Sequence, residues 1–199
     1  MLQSGVVKNR FKVHRCGITP IETRGVLATW DDADGLVAHI TTQRPHIDRL
    51  GLSDVLEIPA EKVRVISPRD QGGGFGVKAP FYREPILICY LAKVLSRPIR
   101  WIESRQEHLM CVSHERDQIN YLEVAARKDG TLLAVRNRGI ADCGDGCEGV
   151  YWGFVMPFLG AVELPNAYTW ENGDIKVKVA VTNKSCQSPA RAFGEFPTR

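Results

Sequence analysis

Asp70-Gln71-Gly72-Gly73-Gly74-Phe75-Gly76-Val77-Lys78 is the segment around which the rest of this sequence is arranged. The alternating run 62–66 before it predicts a strand, and the apolar run 84–95 after it predicts a helix with Pro85 in its first turn. Four glycines within five residues require a tightly turned backbone and let another group approach closely. The exposed N–H groups of such a loop can bind an anion or an oxo group. Phe75 either packs into the gap left by the glycines or faces that group.

The composition is that of an ordinary globular protein, with 44% hydrophobic and 25% charged residues among 199. This length allows one large domain or two small ones. The formal charge of +3 is small and evenly spread, and no basic run appears, so nucleic acid is not an expected partner. No apolar stretch reaches the roughly 18–20 residues of a membrane span, and the first residues lack the pattern of a signal peptide. We therefore expect a cytoplasmic protein.

The six cysteines and five histidines show no metal-binding spacing. Only Cys143 and Cys147 lie close together, and three intervening residues do not match the common zinc or iron–sulfur motifs. The histidines form neither a pair four residues apart nor an H-E-x-x-H motif. We therefore predict no disulfide, no iron–sulfur cluster and no metal ligand in this chain.

Local patterns predict an α+β fold with mixed sheets and packed helices. Asp129-Gly130 between two β-rich runs predicts a hairpin over 118–141, and an acidic turn predicts another over 26–40. Residues 1–10 have no periodic signal and are expected to form an N-terminal arm. The aromatic segment 151–158 is too irregular for a strand. Apolar spacing further predicts a short helix over 45–56 and strands over 99–103 and 174–182.

Four segments, taken together, follow the pattern of one family. The run 72–78 reads Gly-Gly-Gly-Phe-Gly-Val-Lys, 18–25 reads I-T-P-I-E-T-R-G, and 97–107 reads R-P-I-R-W-I-E-S-R-Q-E. The run 182–194 contains T-N-K and then A-R-A-F-G. These segments resemble, in the same order, motifs of the large, molybdopterin-binding subunit of the molybdenum hydroxylases, the family of xanthine dehydrogenase and of aldehyde and carbon monoxide dehydrogenases. The match begins near residue 11 and covers the N-terminal molybdenum-binding portion of that subunit.

The resemblance implies that the glycine loop lies at the oxo ligand of a molybdopterin-bound molybdenum. The cofactor-binding residues that it implies are Gly73, Gly74, Phe75, Gly76, Arg191 and Ala192. Phe75 and Arg191 are also implied as catalytic residues. The guanidinium group of an arginine is always charged and carries several N–H donors, so it suits substrate binding or stabilisation of developing negative charge. A single arginine is, however, most often an exposed surface residue.

Two departures from the family pattern narrow the expected substrate. Ala79 follows the Gly-x-Lys motif where purine-oxidising members have a glutamate, which argues against xanthine. Ala192 follows the arginine where carbon monoxide oxidisers have a copper-bridging cysteine, which argues against carbon monoxide and copper. Glu195-Phe196 also replaces the small residues and proline that are usual there.

The family's general base, a glutamate far downstream, has no counterpart in this sequence. Residues 11–199 are therefore expected to form the first half of the molybdopterin-binding domain, incomplete without a partner chain or a C-terminal continuation. The helix 84–95 is apolar on most faces and is expected to be buried. The resemblance implies a second molybdopterin-binding polypeptide that shares the cofactor, together with separate [2Fe–2S] and FAD subunits.

The expected function is oxidation of an aldehyde or an N-heterocycle with water as the oxygen source. Two alternatives stay open at this point. The chain is a non-catalytic scaffold subunit of such a complex, or it belongs to a hydratase-type member that adds water without net oxidation.

Overall fold

The structure, a computed structural model, describes residues 4–145, 151–164 and 166–192. The chain divides into Ile18–Val112, here called the middle unit, and Met1–Gly17 with Ser113–Arg199, here called the terminal unit. The elements in chain order are β1 (Ser4–Val13), β2 (Cys16–Gly17), β3 (Gly25–Asp31), β4 (Gly35–Ile40), α1 (Pro45–Val55), β5 (Val63–Ile66), α2 (Arg83–Leu95), β6 (Ile99–Ile102), α3 (Arg105–Cys111), β7 (His114–Glu115), β8 (Gln118–Arg127), β9 (Leu132–Gly144), α4 (Tyr151–Val162) and β10 (Asn172–Val181).

The middle unit is a four-stranded sheet with two helices against it. The strand order is β5-β4-β3-β6, in which β4 and β5 are parallel and the other pairs are antiparallel. Alternate residues of β3 and β4 point to the same face, so Val26 and Leu36 are buried there with Leu52 of α1 and Ala92 of α2. The hairpin over 26–40, the helix at 45–56 and the strands at 62–66 and 99–103 are thereby confirmed to within a few residues.

Helix α2 buries only one of its faces. Ile88, Cys89 and Ala92 are buried, because they face the sheet. Tyr90 and Val94 are 50% and 58% exposed. The helix predicted over 84–95 is confirmed, but the prediction that it is buried on most sides is wrong for this chain. Its outer apolar stripe has the character of a surface that another protein segment covers.

The terminal unit is a second four-stranded sheet, with strand order β1-β8-β9-β10. The pairs β1/β8 and β8/β9 are antiparallel, and β10 runs parallel to β9. The hairpin predicted over 118–141 and the strand predicted over 174–182 are confirmed. Residues 4–10, assigned to an N-terminal arm from the sequence, belong to β1 and pair with β8.

The aromatic segment 151–158 lies in helix α4, which contacts β9 and β10. A helix was not predicted here, because the segment has no charged face and carries Pro157 in its interior. Phe154 and Phe158 are 59% and 55% exposed, and their rings stack with centroids 6.3 Å apart.

Among the described residues, none of the helices combines the length and the apolar character that a bilayer span requires. Cys186 is disulfide-bonded, whereas Cys16, Cys89, Cys111 and Cys143 are free. The prediction of no disulfide is therefore wrong. Motif spacing tests only neighbouring cysteines, so it does not reveal a bond between cysteines that the fold brings together.

Candidate cofactor-binding site

The glycine loop lies in the middle unit between β5 and α2. Gly73 and Gly76 have φ of +99° and +102°, which favours glycine. Phe75 has φ of 51°, a conformation that costs a non-glycine residue on the order of 1 kcal/mol. Its side chain is 49% exposed, and a Cβ on Gly73 would lie 2.7 Å from Phe75 Cε2. Phe75 is thus held in a strained conformation without being a core residue.

Glu22 holds the beginning of the loop through three bonds. The Glu22 backbone N–H donates to the Gly72 carbonyl over 3.1 Å, and the Gly72 N–H donates to Glu22 Oε2 over 3.1 Å. The same Oε2 accepts a hydrogen bond from Lys78 Nζ at 2.5 Å. The Lys78 side chain is 0% exposed, so its charge depends on this pairing. A Cβ on Gly72 would lie 2.5 Å from Glu22 Cβ, which explains why this position is a glycine.

Gln43, which no sequence motif indicated, holds the end of the loop. Its Oε1 accepts the Gly76 N–H at 2.9 Å, and its own backbone N–H donates to the Lys78 carbonyl at 3.0 Å. A Cβ on Gly74 would lie 2.6 Å from Gln43 Oε1. A lone glutamine after a strand belongs to no motif that we considered, so only the fold reveals its contact with the loop.

Three consecutive amides of the loop are left without an acceptor. Within the part of the chain that the structure describes, the N–H groups of Gly73, Gly74 and Phe75 make no hydrogen bond. Gly76 was among the cofactor-binding residues that the resemblance implied, but its amide is bound to Gln43. Successive free amides form a concave anion site. These three amides are hydrogen-bond donors available to an oxo or other anionic group of a cofactor.

A buried ionic network joins two of the family-like segments behind the loop. Arg24 donates to Glu103 Oε1 through Nε at 2.9 Å and to Glu84 Oε2 through Nη1 at 3.1 Å. His108 Nε2 lies 2.8 Å from the Ile18 carbonyl oxygen, and its Nδ1 lies 2.8 Å from Glu103 Oε2. Burial raises the pKa of Glu103, but the hydrogen bonds from Arg24 outweigh it and hold that pKa below its usual value. This network links segments 18–25 and 97–107, and Glu22 links segment 18–25 to the loop 72–78, all within the middle unit.

The segment of Arg191 and Ala192 lies in the terminal unit, after β10. Ser188 and Ala190 are buried, and the Ser188 N–H donates to the His114 carbonyl at 2.8 Å. The Ala190 N–H donates to the Glu115 carboxylate, whose pKa is raised by burial to about 6. Arg191 itself is exposed and has no ion pair with any described residue.

The six predicted site residues are thus divided between the units. The glycine loop of the middle unit carries Gly73, Gly74, Phe75 and Gly76. Arg191 and Ala192 belong to the terminal unit, and Ala192 has φ of +76°. Glu195-Phe196 lies outside the described residues. No group of three or more His, Cys, Asp or Glu side chains with metal-binding geometry occurs among the described residues.

A strand, a glycine loop with three free amides, and side chains that fix both ends of the loop define a cofactor-binding domain. The chain belongs to the molybdopterin cofactor-binding domain family, which matches residues 2–198. The resemblance drawn from four sequence segments is thereby confirmed.

Related proteins have the same α+β fold. The carbon monoxide dehydrogenase large chain of Hydrogenophaga pseudoflava is 40% identical over 180 residues, which are 87% of this chain and 21% of that protein. The nicotine 6-hydroxylase large subunit of Paenarthrobacter nicotinovorans is 36% identical over 140 residues, 70% of this chain and 17% of that protein. The structure of quinoline 2-oxidoreductase from Pseudomonas putida 86 aligns with a TM-score of 0.89 and 33% identity, covering 96% of this chain and 24% of that one. The chain thus spans 21% of the length of the first curated relatives that it matches.

Proposed function

We propose that this chain is part of the molybdenum-cofactor-binding subunit of a multi-subunit molybdenum hydroxylase or dehydrogenase. Its relatives include a large chain and a large subunit, which supports a place in a complex. The observation that carries the proposal is the row of free amides at Gly73, Gly74 and Phe75, fixed at both ends by Glu22 and Gln43. A row of fixed N–H donors is preorganised for an oxo group and costs no rearrangement when that group binds.

The residues of this chain would hold and shape the site. A bound molybdenum–molybdopterin group supplies two-electron oxidation with oxygen taken from water. The amides of Gly73, Gly74 and Phe75 would donate hydrogen bonds to an oxo group of that cofactor, and the half-exposed Phe75 ring would restrict the approach of a substrate. The exposed Arg191 guanidinium would stabilise negative charge that develops on a substrate.

The proposed substrate is an aldehyde or an N-heterocycle. Ala79 and Ala192 lack the carboxylate and the thiol that the sequence analysis associates with purine and carbon monoxide oxidation. The proposed partners are a second molybdopterin-binding polypeptide, or a continuation of this chain, together with [2Fe–2S] and FAD subunits. Ala79 is 5% exposed, so a larger residue there would have to displace its neighbours.

The direct test is the cofactor content of the complete complex with Gly74→Ala. The added Cβ would lie 2.6 Å from Gln43 Oε1, so either the loop or the Gln43 side chain that holds it must shift. If the shift weakens binding by about 1.4 kcal/mol, affinity for the cofactor falls tenfold. Molybdenum is measured by elemental analysis and pterin by its release on denaturation. Gly5→Ala is the control, because nothing lies within 4 Å of its added Cβ. Full molybdenum and pterin content in Gly74→Ala, or a native complex without molybdenum, would contradict the proposal.

Two further measurements separate the alternatives. If the chain is a non-catalytic scaffold subunit, Phe75→Ala and Arg191→Ala should leave the turnover of the complex unchanged. Our proposal predicts that both variants lower it. A hydratase predicts that product forms without any electron acceptor, whereas a hydroxylase requires one.

A further inference from the structure

The four-stranded sheet of the terminal unit has one face that α4 does not cover. Helix α4 lies over the face that contains Phe11, Asn120, Asn137 and Val177. The opposite face is here called the basic face. The strand registers show that its side chains form four rows, each of which crosses β1, β8, β9 and β10 in that order. The rows are Val6-Ala125-Ala134-Asn172, Lys8-Glu123-Arg136-Asp174, Arg10-Tyr121-Arg138-Lys176 and Lys12-Ile119-Ile140-Lys178.

The basic face concentrates the positive charge of the chain. It carries seven cations and two carboxylates, so its net charge of +5 exceeds the +3 of the whole sequence. The sequence-based expectation of evenly spread charge is therefore wrong. Cations at alternate positions of β1, β9 and β10 all point the same way, because side chains alternate along a strand.

The two carboxylates are already occupied by neighbours within the face. Glu123 lies 3.1 Å from Lys8 and 3.6 Å from Arg136, and Asp174 lies 3.4 Å from Arg136. In contrast, Lys12, Lys176 and Lys178 have no carboxylate within salt-bridge distance among the described residues. The unbalanced charge therefore lies at the two edge strands.

The basic face also exposes apolar side chains. Val6, Tyr121 and Ile140 are 59%, 46% and 44% exposed. A shallow depression of about 460 Å³ opens beside the charged row, where small residues such as Ala125 and Ala134 form its floor. An apolar side chain of a partner fits such a depression, while its carboxylates meet the surrounding cations.

We propose that the basic face docks an acidic surface of another protein chain. Exposed tyrosine and arginine side chains around small apolar patches are typical of protein interfaces. A nucleic-acid backbone suits the face less well, because Glu123 and Asp174 cross its middle and would lie against the phosphates. This proposal rests on the sheet alone and is independent of the proposed cofactor chemistry.

The size of the face indicates a transient contact. Strands about 4.8 Å apart and rows about 6.8 Å apart give a patch of roughly 500 Å². That is below the approximately 800 Å² per partner of a standard interface. Affinity then depends on charge, so the association rate should fall steeply as salt rises.

The partner is identified by cross-linking in the complete protein. The native protein is purified from its source cells at low salt, treated with a carbodiimide, and digested for mass spectrometry. We expect Asp and Glu residues of one other chain to be joined to Lys12, Lys176 or Lys178. Cross-links only to carboxylates of the same polypeptide, or none to these lysines, would overturn the proposal.

The association rate of the identified chain is then measured by stopped flow with Lys176→Glu/Lys178→Glu. These side chains are exposed and unpaired with carboxylates, so the fold should tolerate the change. We expect the rate to fall at least about tenfold. Arg97→Glu/Arg100→Glu is the matched control, because it changes net charge equally at two exposed cations of the middle unit. Equal effects of both double variants would overturn the proposal. Tighter binding of a 20-base-pair DNA duplex than of the acidic chain, lost in Lys176→Glu/Lys178→Glu, would also overturn it and assign the face to nucleic acid.

Discussion

Two buried cations of the middle unit, Arg24 and Lys78, are supported in different ways. Arg24 pairs with the fully buried Glu103 and with the partly exposed Glu84, and its guanidinium lies 3.8 Å from the centre of the Tyr82 ring. Lys78 pairs with one carboxylate, that of Glu22, which also accepts the Gly72 N–H. Arg24 is thus part of the interior, whereas Lys78 connects the interior to the glycine loop.

The two ion pairs should therefore have different roles: that of Arg24 stabilises the middle unit, and that of Lys78 fixes the conformation of the glycine loop. Loss of Arg24 should weaken the whole middle unit, because a buried carboxylate would be left unpaired. Loss of the Lys78 pairing should act mainly on the loop, since Glu22 is 33% exposed and water can reach it. Both effects are measured locally in the intact complex by hydrogen exchange of peptides from residues 18–112.

The largest effect is expected for Arg24→Met. Glu103 has 0% side-chain exposure and would lose its cationic partner, a change that typically costs about 3–5 kcal/mol. The free energy of protection against hydrogen exchange should fall by about 3–5 kcal/mol in peptides of β3 and β6. Arg97→Met is the control, because Arg97 is exposed and should change protection by less than about 0.5 kcal/mol. A loss below about 1 kcal/mol in Arg24→Met would mean that the network is not structural.

Asp48 is a buried carboxyl group that has no salt bridge with any described residue, which extends the comparison to an acidic side chain. Burial raises the pKa of Asp48 from 3.8 to about 6, against a hydrogen bond from Thr42 and the charge of Arg44. Among the described residues, Asp48 Oδ1 has no hydrogen-bond partner. Because the folded state holds this proton more tightly than the unfolded state, the free energy of unfolding should fall as pH rises from about 4 to about 6.

Asp48→Asn should remove that pH dependence. At pH 7 the variant is expected to be more stable by about 2 kcal/mol, because the folded state no longer has to bury a charge. Exchange rates of α1 peptides, measured at about pH 5 and pH 7 and corrected for the intrinsic rate, provide the test. Equal stability of the variant and the natural protein at pH 7 would contradict it.

The smallest expected effect is the difference in stability between the variants Glu22→Gln and Glu84→Gln. The two carboxylates are matched in exposure, at 33% and 32%. Glu84→Gln leaves Arg24 with Glu103, whereas Glu22→Gln leaves buried Lys78 without a carboxylate. We expect Glu22→Gln to cost about 1 kcal/mol more and to lower the molybdenum content of the complex. If Glu84→Gln lowers molybdenum equally, Glu22 has no special role in the loop.

Features encoded by neighbouring residues could be predicted from the sequence. The turn Asp129-Gly130 predicted the β8/β9 hairpin, and the clustered glycines predicted a tight loop after β5. Both the turn and the loop depend on the backbone preferences of a few neighbouring residues, which can be inferred from the residue types alone.

Features that join distant residues could not be predicted. Arg24 and Glu103 are 79 positions apart, and the contact of Gln43 with Gly76 spans 33. Lys8, Arg10 and Lys12 occupy alternate positions, but only the strand register shows that they share a face with Lys176. Helix α4 was missed because its apolar run has no polar face to reveal the helical period.

The pairing of β1 with β8 has a consequence for synthesis on the ribosome. Val13 pairs with Gln118, and the whole middle unit is made between them. At about 5–20 residues per second, β1 waits for at least about 5 seconds while the middle unit can already fold. During that interval residues 4–13 have no pairing partner within the chain, and their alternating lysines and arginine are of the kind that discourages pairing with a neighbouring nascent chain. The charges that we assign to a partner surface in the finished protein would thus first serve as protection against aggregation.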